Sequence, residues 1–221
     1  MTPLTLGDFS QQRYQPACLF ARLLRCAKGY IARLCTPLRA LQANENPAQS
    51  GNFISANRLM TMTVNHWLPL FTRPQTVESV LSSWRHLQAN DGVRLHGYCV
   101  VLENHLHLIG GSARIGQDIQ RFKSYRARRI IAQLLAVRAQ QLLDLLALFK
   151  RLHKSQCEHQ LWEEGSHPQR SESEGVMRQK LEYIHYNPVQ LGFVDLPEHW
   201  HWSSARDYGG LAGWIEVDRE W

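Results

Sequence analysis

The sequence contains no run of apolar residues that approaches the roughly 18 needed to span a membrane. It has no compact apolar stretch near the N-terminus followed by a small-residue cleavage site, and no cysteine pair with CxxC spacing. Its five cysteines are odd in number and sit in apolar segments, as reduced thiols do. These absences argue against a membrane, secreted or disulfide-stapled protein, and we expect a soluble cytoplasmic one.

Positive charge is concentrated in one part of the chain. The net charge is +6 overall, but residues 113–154 carry a net +8 and residues 155–221 a net −7. A basic block of this size predicts contact with a polyanion, most simply nucleic acid, whereas the alternative is a solvated helix face.

The composition of residues 1–52 differs from that of the rest. A basic amphipathic stretch at 18–42 is interrupted by Gly29 and Pro37 and is followed by a polar tail. We therefore expect a weakly ordered basic extension at 1–52 and one domain at 53–221, because 169 residues with a large apolar fraction can form a core of their own.

Apolar periodicity within the domain predicts alternating strands and helices. Residues 58–65 alternate as a strand, residues 77–87 follow helical spacing, residues 97–111 form a hairpin, and a basic helix begins near Gln117. The order is strand, helix, strand, strand, helix. Residues 163–175 are expected to be a loop, and the candidate regions for a fourth strand are 155–162 and part of 193–217.

Two histidines stand in the second strand of the hairpin. His105 and His107 are two residues apart, so their imidazoles leave one face of the strand while Leu106 and Leu108 leave the other. Paired imidazoles on a rigid strand are suited to a divalent ion. The alternative is two buried histidines that only make hydrogen bonds.

A second informative stretch runs from Gly175 to Gly192. Helical spacing places Tyr183 and Asn187 on one face about one turn apart, and Pro188 predicts that the helix ends at Asn187. A phenol and an amide oxygen would then project together. The alternative is a half-buried tyrosine and an asparagine that only ends the helix.

These two stretches together resemble a known family. The segments ENHLHLI at 103–109 and EYIHYNPV at 182–189 resemble the His-hydrophobic-His and tyrosine motifs of the REP-associated tyrosine transposases, which are relatives of the single-tyrosine HUH transposases. Shorter similarities are RFKSY at 121–125, WEEGSHP at 162–168 and WSSARDY at 202–208. The likeness covers about 57–217. The family usually has proline where this chain has Glu103.

The resemblance implies a ferredoxin-like α+β domain whose antiparallel sheet is packed against helices. It implies that His105, His107 and Asn187 hold Mg²⁺ or Mn²⁺ and that Tyr183 is the nucleophile, with Tyr186 as its rival. The implied partner is single-stranded or hairpin DNA. Its expected contacts are Arg121, Lys123, Arg126, Arg128, Arg129, Trp162 and His167, although Trp162 is also the kind of residue that packs in a core.

The implied reaction is cleavage and rejoining of one DNA strand through a 5′-phosphotyrosine. Two alternatives stay open: a metal-dependent phosphodiesterase that activates water, and a catalytically silent nucleic-acid-binding protein. The oligomeric state is also open, with a homodimer as one option, and the leucine-rich 134–152 segment is expected to serve either as core or as an interface.

Overall fold

A computed structural model describes residues 57–101, 103–164, 168–171 and 173–221. The expected extension at 1–52 and His167 lie outside these residues. Within the described ranges, none of the helices combines the length and apolarity that crossing a bilayer requires.

The centre of the domain is a four-stranded antiparallel sheet in the order β2-β3-β1-β4. Its strands are Arg58–Thr63 (β1), Arg94–Val101 (β2), His105–Gly111 (β3) and Gln169–Arg170 (β4). The middle strand β3 pairs with both β1 and β2. With helices between β1 and β2 and between β3 and β4, this is the ferredoxin-like arrangement, and the expected α+β fold is confirmed.

The helices of the described chain are Pro74–Asp91 (α1), Ile115–Ala136 (α2), Gln140–Leu148 (α3), Glu174–Gln190 (α4) and the short Ala205–Tyr208 (α5). Two single 3₁₀ turns complete the list: Asn65–Trp67 follows β1, and Pro197–His199 lies between α4 and α5. The long helix α1 begins with proline in its first turn and ends at Gly92, whose left-handed conformation (φ 66°) suits glycine.

One side of the sheet, here called the core face, is apolar. Met60, Met62, Leu106 and Leu108 point to this face and join one buried cluster with side chains from α1 and α2, including Trp84 and Phe122. The alternation of the strands sends every second residue into this cluster. The main hydrophobic core therefore lies between the sheet and helices α1 to α3.

The opposite side, here called the site face, carries a different row of residues. Thr61, His107 and Cys99 are register partners across β1, β3 and β2, and by alternation they share this face. Helix α4 packs here. A methyl group on Gly97 would lie 2.6 Å from Leu181 Cδ2 and 3.2 Å from Ile184 Cδ1, so glycine allows close approach of α4 to β2.

Helix α4 is also tied to the far edge of the sheet. The buried Lys180 ammonium donates hydrogen bonds to the carbonyl oxygens of Gln169 and Arg170 in β4. The helix is thus held at β2 by apolar contact and at β4 by a buried cation, and it lies across the strand that carries the histidines.

The C-terminal segment completes the packing. Trp200 Nε1 donates to the Val100 carbonyl (2.9 Å), and the backbone nitrogens of Trp214 and Ile215 donate to Tyr98 Oη at 3.1 and 3.2 Å. Because these bonds reach β2, the segment covers the strand that would otherwise be an open sheet edge.

Two sequence predictions about these elements were wrong. The fourth strand is Gln169–Arg170, inside the segment expected to be a loop, while the two candidate regions supply only the isolated bridges Val64–Trp162 and Cys99–Ser203. Helix α4 continues through Pro188 to Gln190. A proline near a helix end removes one hydrogen bond, and Pro188 is buried, so packing outweighs that loss.

Candidate active site

Strand β3 brings the two predicted histidines together on the site face. Their ring centroids are 5.1 Å apart, at an interplanar angle of 82°. His105 Nδ1 lies 2.8 Å from Asn104 Oδ1, and His107 Nδ1 lies 2.9 Å from Thr61 Oγ1. Each ring is therefore oriented through one nitrogen by a neighbouring oxygen.

These contacts decide which nitrogen is free to bind. An amide oxygen only accepts, so a neutral His105 must donate from Nδ1 to Asn104 and keep the lone pair on Nε2. At His107, Asn187 Nδ2 lies 3.4 Å from Nε2, which makes Nε2 an acceptor and Nδ1 the donor to Thr61. Both rings consequently keep their lone pair on Nε2, as metal-binding histidines do. At His107 this lone pair accepts from the Asn187 amide, so a bound metal would replace that hydrogen bond.

Burial keeps both imidazoles neutral. Desolvation lowers the pKa of His105 to about 4. Desolvation, reinforced by the nearby His105, lowers the pKa of His107 well below its usual value. A metal ligand must be unprotonated, so near neutral pH no proton competes for these nitrogens.

Helix α4 places its phenol and amide beside His107. The Tyr183 ring centroid lies 5.5 Å from that of His107, edge to face at 73°. Asn187 is 3% exposed, and its Oδ1 is buried with no hydrogen-bond partner in the described chain. The phenol and the amide predicted to share a helix face thus both meet the same imidazole.

The unpaired amide oxygen fits a bound cation. Burying a carbonyl oxygen without a partner is unfavourable, and a cation that also accepts the Nε2 lone pairs would satisfy it. Within the described ranges, no group of three or more His, Cys, Asp or Glu residues could hold a metal. The candidate donor set is two imidazoles and one amide, as the resemblance implies.

The rival tyrosine lies elsewhere. Tyr186 is on the same helix but is 49% exposed, whereas Tyr183 is only partly exposed and contacts His107. Residues three apart lie about 60° from each other around a helix, and here the contact with His107 is made by Tyr183 while Tyr186 projects into solvent. The geometry favours Tyr183 over Tyr186.

Part of the predicted DNA-binding set packs inside the protein. Trp162 is 7% exposed, contacts the Phe71 and Phe122 rings and donates from Nε1 to the Lys123 carbonyl (2.9 Å). Arg126 is 6% exposed and donates to Ser79 O (2.7 Å) and Oγ. The prediction that these two side chains contact DNA is wrong, because apolar packing and backbone contacts already use them.

Other predicted cations are partly or fully available. Arg121 is exposed but bridges Asp91 (2.7 Å) and Asp118 (3.0 Å), which neutralise it. Lys123 is partly buried and donates to the Glu163 carbonyl at 3.2 Å. Arg128 and Arg129 are exposed on the outer side of α2. Since α2 packs on the core face, these cations are on the opposite side of the sheet from the histidines.

Sequence reasoning missed three residues at the site. Thr61 and Asn104 orient the histidines, and Trp67 stands beside His105 with ring centroids 5.9 Å apart. Asn104 belongs to the quoted motif, so its position was a usable signal. Thr61 needed the strand register, and Trp67 needed the conformation of its turn, neither of which a single sequence supplies.

Comparisons with known proteins give remote similarities only. No family model and no curated protein matches the chain. Among solved structures, it is similar to a REP-associated tyrosine transposase bound to a REP hairpin, with 18% identity, a TM-score of 0.45, and 79% of this chain and 93% of that one covered. It is also similar to a putative transposase from Deinococcus radiodurans, with 17% identity, a TM-score of 0.37, and coverage of 63% and 95%.

Proposed function

We propose that this protein is a metal-dependent tyrosine transposase that cuts and rejoins single-stranded DNA. The observation that carries the proposal is the meeting of Tyr183, Asn187 and the two histidines at one place on the site face. These four residues match the two motifs that carry the family resemblance. A phenol beside a neutral N,N,O donor set supports strand transfer, because the protein would supply the nucleophile and hold the cut strand covalently.

Each residue has a defined task in this proposal. His105, His107 and Asn187 would hold Mg²⁺ or Mn²⁺, which would supply positive charge to polarise the scissile phosphate. The hydroxyl of Tyr183 attacks phosphorus and loses its proton. The bond from phosphorus to the 3′-oxygen breaks, and that oxygen leaves as a hydroxyl. The downstream strand remains on Tyr183 as a 5′-phosphotyrosine, and a second 3′-hydroxyl can reverse the step.

The substrate follows from the same geometry. One tyrosine serves the site, so one strand is cut at a time. Helix α4 lies close over the site face, and single-stranded DNA, with a flexible backbone and uncovered bases, fits such a narrow site better than a duplex. The exposed Arg128 and Arg129 on the other side would contact phosphates further along the DNA.

A test uses a hairpin oligonucleotide with a single-stranded flank, labelled at either end, incubated with Mn²⁺ and run on a denaturing gel. With a 3′ label the cleaved fragment should migrate with the protein, and with a 5′ label it should migrate free. Tyr183→Phe should reduce cleavage at least about a thousandfold, as loss of a nucleophile does. Tyr186→Phe is the matched control and should cleave normally.

The remaining outcomes distinguish the alternatives. Cleavage that survives in Tyr183→Phe without a covalent product would show a phosphodiesterase that activates water. Salt-sensitive binding with no cleavage in either metal would show a silent DNA-binding protein. Either result contradicts the proposal.

A further inference from the structure

The turn that follows β1 has an uncommon backbone. Asn65–Trp67 forms a single 3₁₀ turn in which His66 and Trp67 have positive φ angles of 51° and 58°. Bulky residues rarely adopt this conformation, and it persists only where surrounding contacts hold it. Such residues cluster at functional sites.

Contacts from one side hold the first half of this turn. The buried Asn65 side chain donates to the Phe149 carbonyl at 3.1 Å. The His66 ring stacks on the Phe149 ring with centroids 4.0 Å apart, and His66 N donates to Glu163 Oε1 at 2.9 Å. The segment after α3 therefore fixes His66 in its strained state.

The histidine-bearing hairpin holds the second half. Asn104 Nδ2 donates to the Trp67 carbonyl at 3.2 Å, while Oδ1 of the same side chain accepts from His105. One asparagine thus couples the position of Trp67 to the position of a proposed metal ligand. This coupling is stiff, because both ends of the amide are used.

The result is a row of four rings along the site face. Trp67, His105, His107 and Tyr183 follow one another with centroid separations of 5.9, 5.1 and 5.5 Å. The indole meets His105 at 71° and is partly exposed. It stands at the end of the row away from Tyr183, beside His105, one of the two imidazoles proposed to hold the metal.

We infer that Trp67 is the platform on which an unpaired nucleobase stacks beside the scissile phosphate. The inference rests on the proposed function and adds a residue that positions the substrate. Every nucleobase has a flat π face, and stacking on an aromatic side chain is a common means of holding single strands. A base held there would fix the phosphate next to it over His105 and His107.

The test measures binding without cleavage. The non-cleaving Tyr183→Phe protein is titrated in EDTA with fluorescent single-stranded oligonucleotides, each having one abasic site at a successive position around the cleaved phosphate. In this background Trp67→Ala should weaken binding of the intact strand about tenfold, whereas Trp67→Phe should bind nearly as well as its parent. At one abasic position the effect of Trp67→Ala should disappear.

The control and the contrary outcomes are distinct. Trp221→Ala removes an exposed indole near His96, at the other end of β2, and should leave binding unchanged. A Trp67→Ala loss that persists at every abasic position would show that the indole only supports His105, and equal binding would show that no base stacks there. Either overturns this inference alone. A protein that binds no single-stranded DNA overturns the proposed function as well.

Discussion

Strand β3 has two faces that do different work. Leu106 and Leu108 enter the main core on the core face, while His105 and His107, alternating with them, form the candidate active site on the site face. All four are in one strand of seven residues, so the rigidity of the core is transmitted directly to the imidazoles. The comparison shows how one strand can combine stability and chemistry without a separate scaffold.

The long helices α2 and α4, which pack on the core face and the site face, also differ in their tasks. Helix α2 is basic, with five of the chain's 25 lysines and arginines, yet it buries Arg126 and neutralises Arg121, and it is separated from the histidines by the sheet. Helix α4 is less basic but carries Tyr183 and Asn187 to His107. Net charge therefore indicated the kind of partner without indicating where the chemistry takes place.

The largest expected effect is a difference in folding stability between substitutions on the core face and on the site face of β3. Leu108→Ala should lower the free energy of unfolding by about 2 to 5 kcal/mol, because it leaves a cavity in the core. His107→Gln should cost only about 1 kcal/mol, because it mainly removes a hydrogen bond, yet it should abolish cleavage. Urea denaturation and the oligonucleotide assay measure both. Equal destabilisation by the two changes would contradict the division of tasks.

A second substitution alters the distance between α4 and the sheet. Gly97→Ala brings a methyl group against Leu181 and Ile184, so we expect about 1 to 3 kcal/mol of destabilisation. Cleavage by the folded variant should also fall, because α4 carries Tyr183. If the variant cleaves the oligonucleotide normally under conditions where it is fully folded, the site tolerates movement of this helix. Gly92→Ala, remote from α4, controls for general loss of stability.

A third prediction concerns the oxygen that orients His107. Thr61→Val keeps the shape but removes the hydroxyl, so Mn²⁺ affinity should fall about 10- to 100-fold, the usual cost of losing such support for a ligand. Isothermal titration calorimetry measures it. Thr72→Val, which removes an exposed hydroxyl that bonds the Pro69 carbonyl, is the matched control. Unchanged affinity would show that Thr61 does not set the tautomer of His107.

The smallest expected effect is a pH dependence that arises on the site face. His185 is buried against Ser204 Oγ (2.8 Å), and burial lowers its pKa to about 4. Between that value and about 6.5 the unfolded chain binds more protons, so acidification destabilises the fold. His185 should account for about 1.4 kcal/mol of the loss between pH 8 and pH 5.5.

Urea denaturation in EDTA at these two pH values checks this contribution. His185→Gln retains a hydrogen-bonding amide but does not titrate, so its stability should decline less between pH 8 and pH 5.5. The remaining decline comes from other buried histidines, among them His96, His105 and His107, whose pKa values burial also lowers. An equal decline in both proteins would exclude His185 as a source.

The local pattern was sufficient for some features and insufficient for others. Alternation placed His105 and His107 opposite Leu106 and Leu108, and helical spacing placed Tyr183 with Asn187, because both periods are properties of the backbone. The two-residue strand β4 was missed because it is too short to show a period. Pro188 misled because the local preference against helix was outweighed by packing.

Residue type and spacing by themselves therefore determined the alternation of strands and helices and the two faces of β3, while the resemblance of two motifs supplied the candidate reactive groups. The tertiary structure decided that α4 lies across β3 within the same chain, that Thr61 and Asn104 orient the imidazoles, and that Trp162 is core while Trp67 is beside the site. The physical reason is the separation along the chain of the residues that interact. Periodicity follows from bonds between neighbours, whereas these contacts join residues far apart in the chain and depend on register and packing.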